Sequence, residues 1–335
     1  MKDKRKKVSE RSMVGVRVVH ALILMVVFFG VIKAGKKAIA GLILLVTLLI
    51  FSEFLLILLA VKQKNEIPLL GIFLTRAKYL LPPGLFWLVF FSLGLEKLTP
   101  SFSERADAVY GGYLFALQLV WIVASLAYLK GGQYRKKIFY LSICVAVSLG
   151  LLQVTHSTLT NLQRGVFYFV FPCALVCVND TAAYAVGKGI GSTPLTDISP
   201  KKTLEGFIGG GMVTVALSIP MARCTEWYAG ESGLSYPHLL SLGGIASLIA
   251  PIGGFLASGY KRAFGVKHFG RLIPGHGGVV DRVDCQMVMQ VAAQVYLSLV
   301  FKKRTTEHLL KELLLLRDRE RVFLLKSLLE SLRNQ

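Results

Sequence analysis

The sequence reads as an all-α protein, a polytopic membrane helical bundle of about nine transmembrane helices. Of its 335 residues, 54% are hydrophobic and 17% charged, where soluble domains carry roughly a quarter charged residues. Mean hydropathy is +0.58. Apolar stretches approaching the ~20 residues that span a bilayer recur along the chain, with no soluble domain, internal repeat or low-complexity tract between them.

The N-terminus is basic, with Lys2, Lys4, Arg5, Lys6, Lys7, Arg11 and Arg17 ahead of an apolar run at 18–32. That order also describes a signal peptide, but Lys33-Ala34-Gly35-Lys36-Lys37 offers no small-residue cleavage pattern, so a first membrane helix is expected. Further spans are expected at 38–61, 79–95, 111–129, 137–155, 165–186, 206–222, 238–257 and 285–301. These divide the chain into a basic cytoplasmic N-tail (1–17), N-terminal transmembrane helices (18–155), a region with two polar loops (156–301) and a basic tail (302–335). In 306–332, leucines alternate with charges at the spacing of an amphipathic helix on a membrane surface or a partner helix.

Lys and Arg number 39 against 19 Asp and Glu, a formal net charge of +20. In so apolar a chain this excess belongs at membrane interfaces or against anionic ligands, and no nucleic-acid partner is expected. Most basic clusters, among them Lys130/Arg135/Lys136/Lys137 and Lys261/Arg262/Lys267, share one side in a nine-span count, which makes that side cytoplasmic. Lys33/Lys36/Lys37 and Lys302-Lys303-Arg304 fall on the other side. The five cysteines lack zinc-type spacing and read as unpaired small hydrophobes.

Charges within membrane segments are costly and mark function. Glu53 interrupts an uncharged run and reads either as a neutral packing carboxyl or as a functional group. Asn179-Asp180 lies late in a span, where two adjacent polar groups need several buried partners. The loop at 187–205 follows, with Gly187, Gly189 and Gly191 and then Ser199-Pro200-Lys201-Lys202-Thr203. Glycines expose backbone N–H groups, and Lys201 and Lys202 with the Ser199 and Thr203 hydroxyls compose an oxyanion site. The spacing is not that of a Walker A loop.

A second loop, 258–284, carries Lys261, Arg262, Lys267, His268 and the turn Pro274-Gly275-His276-Gly277-Gly278, then Asp281-Arg282-Val283-Asp284. Asp281 and Asp284 are three apart and share a helical face. Such a pair calls for a cation between the carboxylates, and hard oxygen ligands favour Mg²⁺, which also takes substrate phosphates. Four cations, a glycine turn and two carboxylates together point to phosphate chemistry.

The segment 258–284 resembles the signature of phosphatidate cytidylyltransferases (CDP-diacylglycerol synthases), and 179–210 is similar to the same family, nearest its eukaryotic, endoplasmic-reticulum type. The resemblance implies transfer of CMP from CTP to phosphatidic acid, with release of pyrophosphate, for phospholipid biosynthesis. It assigns Asp281 and Asp284 to Mg²⁺, with Asp180 and His268 as further ligand positions. Lys201, Lys202 and Arg282 face phosphates, and His276 contacts a phosphate or holds the turn. Asn179, Asp180, Ser199, Thr203, Lys261, Arg262, Lys267, Gly275, Gly277 and Gly278 line the substrate site. Mn²⁺ as a substitute metal, a monovalent cation such as K⁺, a homodimer, and an endoplasmic-reticulum location with the site facing the cytoplasm also follow from the likeness. His268 stands where the family carries Asp, which implies weaker Mg²⁺ binding, altered metal preference or impaired catalysis. The alternatives are a CTP-dependent lipid kinase and a family member that has lost catalysis.

Overall fold

The computed structural model describes residues 23–60, 134–196, 198–200, 202–270 and 277–315. Within them every regular element is helical, and the single bridge is Pro194 with Thr203. The helices are α1 (Ile23–Lys33), α2 (Lys36–Ala60), α3 (Tyr134–Arg164), α4 (Val166–Ile190), α5 (Leu204–Ala229), α6 (Tyr236–Leu248), α7 (Ala250–Ala263) and α8 (Val280–Leu315). Among the described residues, five stretches are long and apolar enough to cross a membrane: Lys36–Ile57, Val166–Ile190, Leu204–Ala229, Tyr236–Ala263 and Val280–Phe301. The expected span at 137–155 is helical within α3. The spans expected at 79–95 and 111–129 lie outside the described residues, as do the N-tail and 316–335.

Three boundaries differ from expectation. The stretch 238–257 is two helices, because Pro251 lacks an N–H and sits at the start of α7, where none is needed. Helix α4 runs on to Ile190, where the N–H of Gly191 still bonds Gly187 O at 3.1 Å. The loop expected from 187 therefore begins at 191. Helix α8 shows no break at 302 and continues to Leu315. The sequence 302–315 contains neither Gly nor Pro, so no helix-breaking residue stops it there.

Lipid tails are as apolar as leucine, so helices in a bilayer associate through packing and polar contacts instead of hydrophobic burial. Helix α8 is the shared element. Its Cys285, Met289, Ala293 and Leu297 pack with Phe167, Phe171 and Leu175 of α4, Ala222 of α5 and Leu242 of α6. Its first turn, with Val280, packs with Ile50 and Phe51 of α2, Leu151 of α3 and Ala257 of α7. A third cluster joins α1, α2, α3 and α4 through Ile32, Ile39, Leu159 and Val170.

Small residues bring α5 onto α4. A Cβ at Gly210 would lie 2.7 Å from the Ala183 Cβ, so the backbones touch there. A polar seam at helical spacing along α8 adds to this packing. Gln286 donates to Cys173 O at 3.1 Å, and Gln290 to Phe169 O at 2.9 Å. Asn161 donates to the Gln290 side chain at 3.0 Å, and Arg164 to Ser298 at 2.7 Å. Such interhelical hydrogen bonds average about 0.6 kcal/mol each in membranes, and this seam fixes which face of α8 meets α3 and α4.

Candidate active site

The polar residues of the two loops gather where the C-terminal half of α4, the end of α7 and the start of α8 converge. Asn179 and Asp180 face different ways. Asn179 is buried and its Oδ1 lies 3.2 Å from Thr214 Oγ1 of α5, so it holds α4 to α5. Asp180, one residue further round, is exposed, and the charges acting on it are Lys202 and Asp284. Three residues from separate parts of the chain thus form one charged cluster.

Lys202 is aimed by its loop. Its N–H bonds Ser199 O at 3.0 Å, and its carbonyl accepts from Leu195 N at 2.8 Å. The ammonium lies 4.4 Å from the centre of the Phe255 ring on α7, a cation–π contact. A Cβ at Gly254 would be 3.0 Å from Lys202 Nζ and 3.8 Å from Asp284 Oδ2, and one at Gly253 would collide with the Asp284 carbonyl. Gly253 is therefore required by the close approach of α7 to α8, and Gly254 leaves room for the two charges.

Thr203 is spent locally: its Oγ1 accepts from Gly206 N at 3.2 Å and caps α5. Glu205 ties the loop back by accepting from Ser192 Oγ at 2.9 Å and Thr193 N at 3.1 Å. Ser199 is half-buried in the turn. Lys201 lies outside the described residues.

In the second loop, whose described residues between α7 and α8 are 264–270 and 277–279, Asp281 is the organiser. Its Oδ1 accepts from Lys261 Nζ at 2.8 Å, and its Oδ2 accepts from Phe269 N and Gly278 N, both at 3.1 Å. His268 Nδ1 lies 3.6 Å from the same oxygen, with its side chain half exposed. The Asp281 side chain is 5% exposed. The N–H of Gly278, read from the sequence as a phosphate donor, is thus directed at a carboxylate of the chain itself. The next two N–H groups, of Val279 and Val280, bond Glu53 of α2 at 2.8 and 3.0 Å.

Asp281 and Asp284 consequently have different surroundings although they share a helix. Asp281 faces the loop, and Asp284 faces Lys202 and Asp180, with Lys261 also acting on it. Arg262, Lys267 and Arg282 are exposed around this mouth, and Gly277 lies beside His268 and Asp281. Gly275 and His276 lie outside the described residues. Among the described residues, no three His, Cys, Asp or Glu side chains are grouped as a metal site. The sequence offers Glu53 as a packing carboxyl or a functional group but does not give its partners, which are more than two hundred residues away. Sequence reasoning did not find the glutamine seam, whose signal was the spacing of Gln286, Gln290, Gln294 and Ser298.

The profile of the Cytidylyltransferase family matches residues 15–300, which takes in every described element except the last turns of α8. The chain belongs to the cytidylyltransferase family. It has relatives in plants, fungi and animals. It is 35% identical over 226 residues to phosphatidate cytidylyltransferase 3 of Arabidopsis thaliana, covering 55% of this chain and 47% of that protein. It is 39% identical over 201 residues to the Saccharomyces cerevisiae phosphatidate cytidylyltransferase, covering 46% and 44%. Phosphatidate cytidylyltransferase 2 of Mus musculus is 28% identical over 362 residues, covering 93% of this chain and 81% of that protein. Against the plant and yeast proteins, the cytidylyltransferase described here aligns over about half of their length.

Proposed function

We propose that this integral membrane protein transfers CMP from CTP to phosphatidic acid, forming CDP-diacylglycerol and pyrophosphate. The observation that carries the reading is the Asp180–Lys202–Asp284 cluster, set among membrane helices in a member of the cytidylyltransferase family. The relatives' names supply the lipid.

A phosphate oxygen of phosphatidic acid attacks the α-phosphorus of CTP, and the bond from that phosphorus to the β-phosphate oxygen breaks. A phosphate monoester is largely ionised at neutral pH, so no side chain has to remove a proton. The task left to the protein is to bring two polyanions together and to stabilise charge on the departing pyrophosphate.

Mg²⁺ suits the donor set. It is held by one or two carboxylates and completes its shell with water and phosphate oxygens, and Asp180 and Asp284 are such a pair. Asp281 is less suited, since Lys261 and two N–H groups already occupy three of its lone-pair positions. The bound ion would neutralise phosphate charge and polarise the α-phosphoryl group; Mn²⁺ would substitute, and a monovalent ion such as K⁺ would assist. Lys202, together with Lys201, binds phosphate oxygens. Arg262, Lys267 and Arg282 raise the local concentration of both anions. Asn179 keeps Asp180 in place through Thr214, and the acyl chains remain in lipid beside the helices. In this reading the protein resides in the endoplasmic-reticulum membrane as a homodimer, with the site facing the cytoplasm.

The test is to incubate purified protein with CTP, phosphatidic acid and Mg²⁺ and to weigh the lipid product. Lipid plus CMP supports the reading. Lipid plus phosphate indicates a kinase, and unchanged lipid indicates a member that does not catalyse the transfer; either overturns it.

A further inference from the structure

Glu53 is 4% exposed in the middle of α2, a helix whose other residues through Ala60 are uncharged after Lys37. A carboxylate so placed needs compensation, and the compensation found is specific. Oε1 accepts from Val279 N at 2.8 Å and Oε2 from Val280 N at 3.0 Å. These are donors at the start of α8, where a helix has no internal acceptors for them and where the helix dipole favours a negative charge. Glu53 and Asp281 between them take three consecutive N–H groups, of Gly278, Val279 and Val280.

The space around the carboxylate is equally specific. A Cβ at Gly270 would meet Glu53 first, 2.6 Å from Oε1 and 2.9 Å from Cδ, and a Cβ at Gly278 would lie 2.5 Å from Oε2. The loop therefore folds over the carboxylate with glycine at both points of contact. Asp284, one turn further along α8, depends on this first turn for its direction toward Asp180 and Lys202.

We infer that Glu53 is a positioning residue for cytidylyl transfer: it fixes the first turn of α8 and its loop, and so aims Asp284 from a helix that contributes nothing else to the charged cluster. The inference rests on the reaction proposed above, since only that reaction gives Asp284 something to do. It assigns the N-terminal helices an active-site duty beyond spanning the membrane.

The test uses full-length protein in nanodiscs. Glu53→Gln keeps the shape but loses the charge and one of the two acceptors. At saturating substrates it should lower kcat about tenfold or more, as loss of a residue supporting a ligand does. KM for phosphatidic acid should stay within about threefold, and the Mg²⁺ needed for half-maximal rate should rise. A merely structural role would reduce the yield of folded protein and leave kcat per folded molecule and the Mg²⁺ curve unchanged.

Gly270→Ala should show the same kinetic defect by displacing the carboxylate. The double variant Gly270→Ala/Glu53→Ala should be no worse than Glu53→Ala alone. Additive losses, or a Glu53→Gln enzyme with wild-type kcat and Mg²⁺ dependence, overturn the inference while leaving the reaction standing. Should the wild type make no CDP-diacylglycerol, the reaction reading fails, and hydrogen exchange decides the positioning claim. Glu53→Gln should then deprotect the amides of 277–283 while α4 and α5 keep theirs, and unchanged or global exchange overturns it.

Discussion

Lys261 Nζ lies 2.8 Å from Asp281 Oδ1, and this pair closes the loop between α7 and α8 at its base. The same carboxylate receives the N–H groups of Phe269 and Gly278, so one side chain holds the end of α7, the middle of the loop and the approach to α8. The ammonium also lies 5.6 Å from the Phe269 ring centre. Asp281 thereby works as the keystone of the loop, and Asp284 is left facing the charges of α4 and the first loop.

Removing the cation from that pair leaves a buried carboxylate with only the N–H groups of Phe269 and Gly278 as partners, at a cost of up to about 3–5 kcal/mol. Lys261→Met should lower the thermal midpoint by several degrees. Lys261→Met/Asp281→Asn should recover part of the loss, because no lone charge remains. Thermal unfolding of the two single variants and the double variant checks this, and strictly additive losses would show that the pair is not coupled.

Asp180 and Asp284 are like charges sharing one neighbourhood, an arrangement that costs stability when nothing lies between them. Neutralising either one, as Asp180→Asn or Asp284→Asn, should lower turnover about a hundredfold or more and leave the thermal midpoint unchanged or raised. Rates within a factor of ten of wild type would exclude these carboxylates from the reaction.

Lys202 should matter most for the nucleotide. Lys202→Ala should raise KM for CTP, lower kcat, or both, with the larger effect at low ionic strength, where exposed charge is least screened. Phe255→Leu removes only the cation–π contact, worth about 0.5–1 kcal/mol, so its effect should be under about fivefold. CTP titrations at two salt concentrations would expose the prediction as wrong if Lys202→Ala followed the wild-type curves.

His268 lies 3.6 Å from Asp281 Oδ2, so a carboxylate introduced there would face another. His268→Asp should need a divalent ion to relieve that repulsion and should lower the Mg²⁺ concentration for half-maximal rate. Superimposable Mg²⁺ titrations would mean that position 268 has no part in metal binding.

Gly253→Ala tests the approach of α7 to α8. Its methyl would run into the Asp284 carbonyl, and overpacking of this kind costs about 1–3 kcal/mol. A lower thermal midpoint with reduced turnover is expected, and a wild-type midpoint would show that the helices part without penalty.

Hydropathy made the membrane bundle legible, because a run such as 38–61, with Glu53 as its one charge, exceeds the ~20 residues that a span needs. It could not divide α6 from α7, since a window average is indifferent to the missing N–H of Pro251. Loop chemistry announced residue types more clearly than partners. Asp281 and Asp284 differ by about 60° around the helix, which is one face by sequence spacing. A loop wrapping one side is enough to separate their surroundings. Thr203 shows the same limit: its hydroxyl fits an anion site and a helix cap equally well, and the choice depends on where α5 begins. Glu53 signalled itself as a charge in an uncharged run, but its acceptors' partners lie across the whole chain.

Helix α8 has 36 residues and is thus about 54 Å long at ~1.5 Å per residue, nearly twice a ~30 Å hydrocarbon core. Its first turn lies at the charged cluster and its apolar stretch ends at Phe301, so about 20 Å of continuous rod at ~1.5 Å per residue extends beyond that stretch, at the end away from the cluster. A rod cannot turn back, so Lys302, Lys303 and Arg304 are carried away from the Asp180–Lys202–Asp284 cluster.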